Sequence, residues 1–349
     1  MINLAIAGCV SFVVAVLGMP VLIKWLAARG IGQPIRVDGP AAHHAKKGTP
    51  TMGGIMIVVA AIVGYLVPHL RPGLPFSRGG LMVVWAFVGA GVVGLTDDWI
   101  KVTRKRSLGL NKRAKIVGQL IVAVSFAIGS VRWVNVQHVL GFARWNSPGW
   151  KLGVVLFVIS TVLVVVGASN AVNISDGLDG LAAGTSVYAF FAYAVMCFWM
   201  FRNPNTYRVP QALDLAVVAT SMVGACLGFL WWNAAPARIF MGDVGALAIG
   251  SAFGALAVIT YTQLLLPIIG GLFVFETISV ILQVGSFRLF NKRRIFRMAP
   301  IHHHFELKGW PETTVIIRFW IISILLVAAG IGFFFGDFIS LSGTVGGLS

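Results

Sequence analysis

The sequence of 349 residues has little charge: 11% of its residues are charged and 58% are hydrophobic. Soluble domains carry about 25% charged residues, so this composition argues against a soluble enzyme and against a disordered chain. The three cysteines, Cys9, Cys197 and Cys226, lie in apolar stretches and form no CxxC pair. Their spacing argues against a disulfide scaffold or a cysteine metal site. Acidic residues number only 11, so the position of each one is informative.

Long apolar runs make up most of the chain. A helix needs about 20 apolar residues to cross a bilayer, and a helix satisfies its own backbone hydrogen bonds within lipid. Ten candidate segments lie at about 4–24, 52–67, 80–96, 116–134, 152–172, 181–201, 212–232, 244–262, 265–286 and 315–337. The sequence therefore predicts an all-α polytopic integral membrane protein with ten transmembrane helices, forming one domain over residues 1–349.

The basic residues predict the orientation of these helices. If the N-terminus lies outside, 20 Lys and Arg residues fall on the inner side and seven on the outer side. The positive-inside rule then places both termini on the outer, periplasmic or extracellular side. The predicted cytoplasmic loops are about 25–51, 97–115, 173–180, 233–243 and 287–314. The net charge of +16 is therefore explained by the basic residues that orient the helices in the membrane, and we expect no nucleic-acid partner.

Aspartates occur where the apolar segments meet the inner loops: Asp97, Asp98, Asp176, Asp179 and Asp243. Carboxylates at a membrane edge are costly and mark functional sites. Neighbouring helical residues diverge by about 100°, so we do not expect Asp97 and Asp98 to face one small ligand equally. A divalent cation or Lys101 would relieve their repulsion. The alternative is a solvated acidic helix end.

A second polar stretch follows the fifth segment. Asn170, Asn173 and Asp176 would share one helix face, and Asp179 comes three residues later. Gly177 would break the helix or let a ligand approach the backbone. Oxygen ligands of this kind suit Mg²⁺, a phosphate-bound sugar or uridine hydroxyls. The alternative is a polar turn between two transmembrane helices.

Asn233 and Asp243 bound a third stretch between two apolar segments. Asp243 could bind a hard metal or cap the helix that it begins. Arg238 would suit an anionic substrate, and Phe240 offers an apolar or stacking surface.

Two further stretches carry cationic or ionisable groups. One stretch has three adjacent histidines, His302, His303 and His304. Their side chains point apart, which argues against a zinc site built from them alone. They favour hydrogen bonds to a phosphate or sugar, or else form a polar surface loop. Lys46 and Thr51 precede a glycine-containing helix start, which is a natural phosphate site or a positive-inside anchor. Together these stretches indicate metal-assisted phosphoryl transfer at the cytoplasmic side of an apolar bundle.

Five strings carry a resemblance to a known family: KKGTPTMGG, GLTDDWIK, NAVNISDGLDGLA, NAAPARIFMGDVG and APIHHHFELKGW. They resemble the phospho-N-acetylmuramoyl-pentapeptide transferase family (MraY), within the polyprenyl-phosphate N-acetylhexosamine-1-phosphate transferase superfamily. The match runs from about residue 33 to 320 in the expected order. The aspartate strings are shared across the superfamily, whereas the first and last strings are much more specific to this family.

The resemblance implies a reaction and a location. The donor would be UDP-MurNAc-pentapeptide, the acceptor undecaprenyl phosphate, the products lipid I and UMP, and the cofactor Mg²⁺. The enzyme would act in peptidoglycan biosynthesis as a homodimer among the lipids of the bacterial plasma membrane, with a cytoplasmic active site. A sister transferase using UDP-GlcNAc is the first alternative. A transporter or lipid flippase is the second, although only Glu276 is a midplane candidate for its path.

The resemblance also implies residue roles. Asp97, Asp98 and Asp243 would be catalytic, with Asp243 and Asp176 as metal ligands. The implied substrate-binding residues are Lys46, Thr51, Lys101, Lys115, Asn170, Asn173, Asp176, Gly177, Leu178, Asp179, Asn233, Phe240, His302, His303, His304 and Glu306. A lipid phosphate already ionises with a second pKa of about 6, so Asp97 could act as a base, orient the acceptor or attack the donor. Direct displacement and a covalent two-step route both stay open.

Overall fold

The structure, a computed structural model, describes residues 1–32, 48–104, 109–290 and 292–346. The helices are α1 (Ile2–Ala28), α2 (Gly54–His69), α3 (Arg78–Thr103), α4 (Lys112–Gly129), α5 (Val154–Ser175), α6 (Leu181–Arg202), α7 (Pro204–Tyr207), α8 (Ala212–Asn233), α9 (Gly242–Ile259), α10 (Leu266–Ile269), α11 (Gly271–Leu289), α12 (Ile301–Glu306) and α13 (Glu312–Gly346). One π-helical turn, Ser130–Val134, extends α4. Two short strands, β1 (Val139–Leu140) and β2 (Trp150–Lys151), pair antiparallel.

Nine of the described helices are long and apolar enough to cross a bilayer. They are α1, α3, α4 with its π turn, α5, α6, α8, α9, α11 and α13. This confirms the predicted all-α, multi-pass membrane architecture. Helix α2 is shorter, at 16 residues, and spans about 24 Å at 1.5 Å per residue. The count of ten membrane crossings and the sides of the termini remain predictions.

Helix α2 nevertheless reaches both ends of the bundle. At its start, Gly54 N donates to Met241 O beside the beginning of α9, at 2.9 Å. At its end, His69 Nε2 lies 2.9 Å from Asp214 in the first turn of α8. Helix α3 returns between the same two ends, because Ser77 contacts Asp214 and Asp98 contacts the start of α9. The two helices therefore bring the 48–54 segment and the end of α3 to one end of the bundle.

Helix α9 lies at the centre of the core. Every residue from Asp243 to Ile259 is buried, and the helix packs against α2, α3 and α5. A helix that is apolar and buried on all sides belongs in the interior of a larger bundle. Helix α1, by contrast, buries mainly every fourth residue and exposes the rest of its apolar surface. Asp243 thus lies in the first turn of the most deeply buried of the described membrane-spanning helices.

The apolar segment at 265–286 is not one helix. It divides at Gly270, which has a non-helical ψ of 24°, into α10 and α11. Pro267 has no backbone N–H and lies in the first turn of α10, where a missing donor is tolerated. The single ninth segment that the sequence predicts is therefore corrected to two helices, α10 and α11.

Candidate active site

Three carboxylates and two ammonium groups meet at one end of the bundle. Lys101 Nζ lies 2.7 Å from Asp97 Oδ2, 3.1 Å from Asp98 Oδ1 and 2.6 Å from Asp243 Oδ2. Lys115 Nζ lies 2.9 Å from the same oxygen of Asp243 and 3.9 Å from Asp97 Oδ2. The three aspartates are buried, and the lysine side chains are about a quarter exposed or less. We name these five residues the carboxylate cluster.

Helix ends bring the cluster together. Asp97, Asp98 and Lys101 belong to the last two turns of α3, Lys115 to the first turn of α4, and Asp243 to the first turn of α9. Backbone groups fix the carboxylates: Leu110 N donates to Asp97 Oδ1 at 2.7 Å, and Val244 N donates to Asp98 Oδ2 at 3.2 Å. The cluster is therefore tied to the main chain as well as to the lysines.

The divergence predicted for Asp97 and Asp98 does not keep them from one partner. Lys101 follows Asp97 by four residues and Asp98 by three, and residues at both spacings are neighbours on a helix surface. Its long side chain reaches between the two carboxylates and contacts both. Lys101 therefore offsets the repulsion between the two carboxylates, which is one of the two arrangements that the sequence predicted.

The cluster has the chemistry of a hard-cation site. One ligand oxygen from each of Asp97, Asp98 and Asp243 lies within 4.8 Å of the others. Carboxylate oxygens are the ligands that Mg²⁺ prefers. The cluster holds one formal negative charge more than it holds positive charges, and Lys101 already shows that a cation is accommodated between the carboxylates. These residues fit a divalent metal ion.

The 176–180 turn between α5 and α6 lies within electrostatic reach of the cluster. Burial raises the pKa of Asp176 to about 7, and three nearby carboxylates add to the rise. They are those of Asp243, Asp98 and Asp179. Asp176 is not one of the three aspartates whose oxygens converge, so its metal-binding role remains a prediction.

Hydrogen bonds fix the second half of this turn. Gly180 N donates to Asn233 Oδ1 at 2.9 Å, and Asn233 Nδ2 donates to Ile239 O at 2.8 Å. Ala237 N donates to Asp179 Oδ2 at 3.0 Å, and Asp179 N donates to Glu312 Oε1 at 3.1 Å. The side chains of Asn233 and Asp179 therefore join the turn to the 233–243 loop, and the side chain of Glu312 joins it to α13.

The remaining polar residues of this region divide between the site and the bundle. Asn170 Nδ2 donates to Gln119 Oε1 at 2.9 Å, which joins α5 to α4. Asn173 is half-buried one turn before Asp176. Leu178 is buried in a small apolar cluster with Leu181 and Leu272. The structure thus uses Asn170 and Leu178 in packing, and their substrate contacts remain predictions.

The 48–54 segment lies against the start of α9. Phe240 N donates to Pro50 O and Gly53 N donates to Phe240 O, both at 2.8 Å. Thr51 is buried, and its Oγ1 borders the same side of Gly242 as Asp98 Oδ2. Thr51 and the backbone of Phe240 therefore lie beside the carboxylate cluster, and the substrate contacts of both residues remain predictions. Lys46 lies outside the described residues.

The three adjacent histidines point in different directions. His302 is fully buried, with Nδ1 3.0 Å from Glu276 Oε1. His303 Nδ1 lies 2.6 Å from Glu306 Oε2. His304 Nδ1 accepts from Arg297 N at 3.0 Å, and burial together with nearby positive charge lowers the pKa of His304. The three histidine side chains therefore diverge as predicted, which argues against a zinc ion shared among them. His302 is an interior residue rather than part of a surface loop.

Sequence reasoning missed three groups that shape this region. Leu110 N and Glu312 act through contacts between distant segments, which no local pattern reveals. Glu276 was noted only as an acid inside an apolar segment. Placing an acid there costs free energy, and such residues therefore indicate function. Its partner, His302, could not be identified from spacing.

Comparison with known proteins agrees with this geometry. The glycosyl transferase family 4 model matches residues 80–261, more than half of the chain, and the phospho-N-acetylmuramoyl-pentapeptide-transferase signature 1 matches residues 46–58. Proteins named phospho-N-acetylmuramoyl-pentapeptide-transferase from Frankia alni and Cutibacterium acnes are each 49% identical, covering 96% and 97% of this chain and 98% and 99% of theirs. The Streptomyces griseus protein of that name is 48% identical over 94% of this chain and 96% of its own. The chain belongs to the phospho-N-acetylmuramoyl-pentapeptide-transferase family.

Proposed function

We propose that the carboxylate cluster is the site at which phospho-MurNAc-pentapeptide passes from UDP-MurNAc-pentapeptide to undecaprenyl phosphate. An oxygen of the acceptor phosphate attacks the phosphorus that bears the sugar, the bond to the UMP phosphate breaks, and UMP leaves. The products are lipid I and UMP, the chemistry of peptidoglycan synthesis. The observation that carries the proposal is the convergence of Asp97, Asp98 and Asp243 on Lys101 and Lys115 in a chain of this family.

The roles of the cluster residues follow from their charges. Phosphoryl transfer depends mainly on positioning and on neutralising the charge of the phosphates. Lys101 and Lys115 supply positive charge from two different helices. Asp243, Asp97 and Asp98 would hold Mg²⁺, with Asp176 on the donor side. When bound, Mg²⁺ supplies further positive charge for the diphosphate and the UMP leaving group.

The contacts of Asp97 support direct displacement. Leu110 N donates to one of its oxygens, and Lys101 Nζ lies 2.7 Å from the other. A carboxylate held by two donors is a poor nucleophile, whereas the acceptor phosphate ionises near neutral pH without help, with a second pKa of about 6. Asp97 therefore orients the acceptor and the lysines, and it forms no bond to phosphorus.

The location of the site supports a cytoplasmic active site in the bacterial plasma membrane. The predicted inner loops, some of which adjoin the cluster, together carry most of the Lys and Arg residues, and such loops remain on the inner side of a membrane. A water-soluble nucleotide donor would reach the cluster from that side, and the acceptor would reach it from the bilayer. The family resemblance also supports a homodimer.

The reaction and its metal are tested together with purified protein. We expect UMP release and lipid I formation with UDP-MurNAc-pentapeptide, undecaprenyl phosphate and Mg²⁺. Excess EDTA should abolish turnover, and added Mg²⁺ should restore it, because the carboxylates require a hard cation for this role. UDP-GlcNAc serves as the matched donor control. UMP release with UDP-GlcNAc but not with UDP-MurNAc-pentapeptide would show that the proposed donor is wrong. Full activity in excess EDTA would show that the reaction needs no metal ion.

Direct displacement predicts no partial reaction without the acceptor. We expect that labelled UMP does not exchange into UDP-MurNAc-pentapeptide when protein stripped of polyprenyl phosphate is incubated with both. Adding back undecaprenyl phosphate should start the exchange through reversal of the complete reaction, which serves as the positive control. Acceptor-independent exchange, or phosphosugar covalently attached to Asp97 in a mass spectrum, would establish the two-step route instead.

A further inference from the structure

A buried acid and a buried histidine face each other outside the carboxylate cluster. Glu276 lies in α11 and His302 in α12, and both are 0% exposed. Glu276 Oε1 lies 3.0 Å from His302 Nδ1. Burying a carboxylate costs free energy unless another group compensates its charge. An acid kept at this position therefore calls for a reason.

The pair has no other polar partner among the described residues. Among these residues, the two carboxylate oxygens of Glu276 and the two ring nitrogens of His302 have no hydrogen-bond partner. Glu276 Oε1 and His302 Nδ1 are close enough to form an ion pair, but their geometry does not meet the requirements of a hydrogen bond. The position of the His302 ring is therefore determined by its attraction to Glu276 and by packing. Without that acid, no described polar group fixes the ring.

The opposite edge of the His302 ring contacts the 176–180 turn. A Cβ placed on Gly177 would overlap His302 Nε2, so the ring lies directly against the backbone of the turn. Asp179 and Gly180 are already held by hydrogen bonds to Ala237 and Asn233. In the first half of the turn, the described residues show no such side-chain hydrogen bond to Asp176 or Gly177, and the His302 ring is the group packed against Gly177.

We infer that Glu276 is a positioning residue for the nucleotide donor. It holds the His302 ring against Gly177, and the ring fixes the half of the turn that carries Asp176. Glu276 does not touch the substrate. The inference rests on the proposed function, in which this turn contacts the donor, and it assigns to an acid inside a membrane-spanning helix a role in donor affinity.

The test is a Glu276→Gln variant, which keeps the size of the side chain and removes its charge. We expect the KM for UDP-MurNAc-pentapeptide to rise about tenfold or more, the effect of losing roughly 1.4 kcal/mol of binding. The kcat and the KM for undecaprenyl phosphate should stay within about twofold, a split that general destabilisation would not produce. Ser279→Ala is the matched control, since Ser279 is buried on the same helix and donates only to Glu276 O, at 2.6 Å.

A double-mutant cycle with His302→Gln tests whether Glu276 acts through the ring. We expect the double variant to be no worse than His302→Gln alone, because the acid has nothing left to hold. Should Glu276→Gln aggregate, Glu276→Asp carries the same test, since it withdraws the charge from the ring by one methylene and should also raise the donor KM. An unchanged donor KM, or additive effects in the cycle, would overturn the inference. A wild-type protein without transferase activity would instead overturn the proposed function.

Discussion

Asp243→Asn is expected to reduce lipid I formation at least about a thousandfold while the protein stays folded. One oxygen of Asp243 lies 2.6 Å from Lys101 Nζ and 2.9 Å from Lys115 Nζ, so this carboxylate links two helices that supply positive charge. An amide of the same size keeps the packing but removes the charge that holds the lysines and, in the proposed function, Mg²⁺. Groups that stabilise transition-state charge typically account for losses of this order. The measurement is UMP release, together with the melting temperature in detergent.

Asp337→Asn is the matched control for the loss of one carboxylate charge. Asp337 pairs with Arg144 at 2.6 Å and accepts from Ser147 Oγ at 2.7 Å, far along the chain from the cluster. We expect this variant to keep nearly full activity, although it loses an ion pair. Comparable losses in both variants would show that Asp243 acts through general stability, and full activity of Asp243→Asn would refute its metal role.

Gly94→Ala is expected to reduce activity about a hundredfold or more and to lower the melting temperature. At Gly94, one turn before Asp97, the backbones of α3 and α9 touch, and an added Cβ would overlap the carbonyl oxygen of Asp243. Overpacking of a tight contact typically costs about 1–3 kcal/mol. Here it would also push Asp243 away from Lys101, so catalysis should suffer more than folding. Lipid I formation and the melting temperature are measured on the same preparation.

Gly167→Ala is the matched control for adding a methyl group to a membrane helix. Gly167 lies within α5, and a Cβ there would meet no atom within 4 Å. Alanine favours a helix over glycine by about 0.5–1 kcal/mol, so this variant should melt at the same temperature as the wild type or higher and remain active. Wild-type behaviour of Gly94→Ala would show that α3 and α9 can separate at this point without affecting the cluster.

The sequence predicted the parts of the fold and site that depend on local pattern. Long apolar runs predicted the membrane helices because bilayer thickness sets their length. The rarity of acids made Asp97, Asp98 and Asp243 visible as candidates, since a membrane protein keeps few carboxylates without a function. Their meeting on Lys101 and Lys115 agrees with the predicted shared site.

Contacts between residues far apart in the chain could not be predicted from the sequence. No spacing rule places Leu110 N on Asp97 or joins Glu276 to His302, because these contacts depend on how distant helices pack. Asn233 looked like a substrate contact, and the structure shows that its amide joins two loops.

The 176–180 turn gets its support from segments other than those that build the carboxylate cluster. The cluster belongs to α3, α4 and the start of α9, whereas the turn is held by Asn233 and Ala237, α12 and α13. With the turn contacting the donor as proposed, evolution could alter which nucleotide sugar is recognised by changing the latter group of segments, and leave the chemistry of bond exchange intact. An engineered change of donor should begin with residues around Gly177 and avoid the interface between α3 and α9.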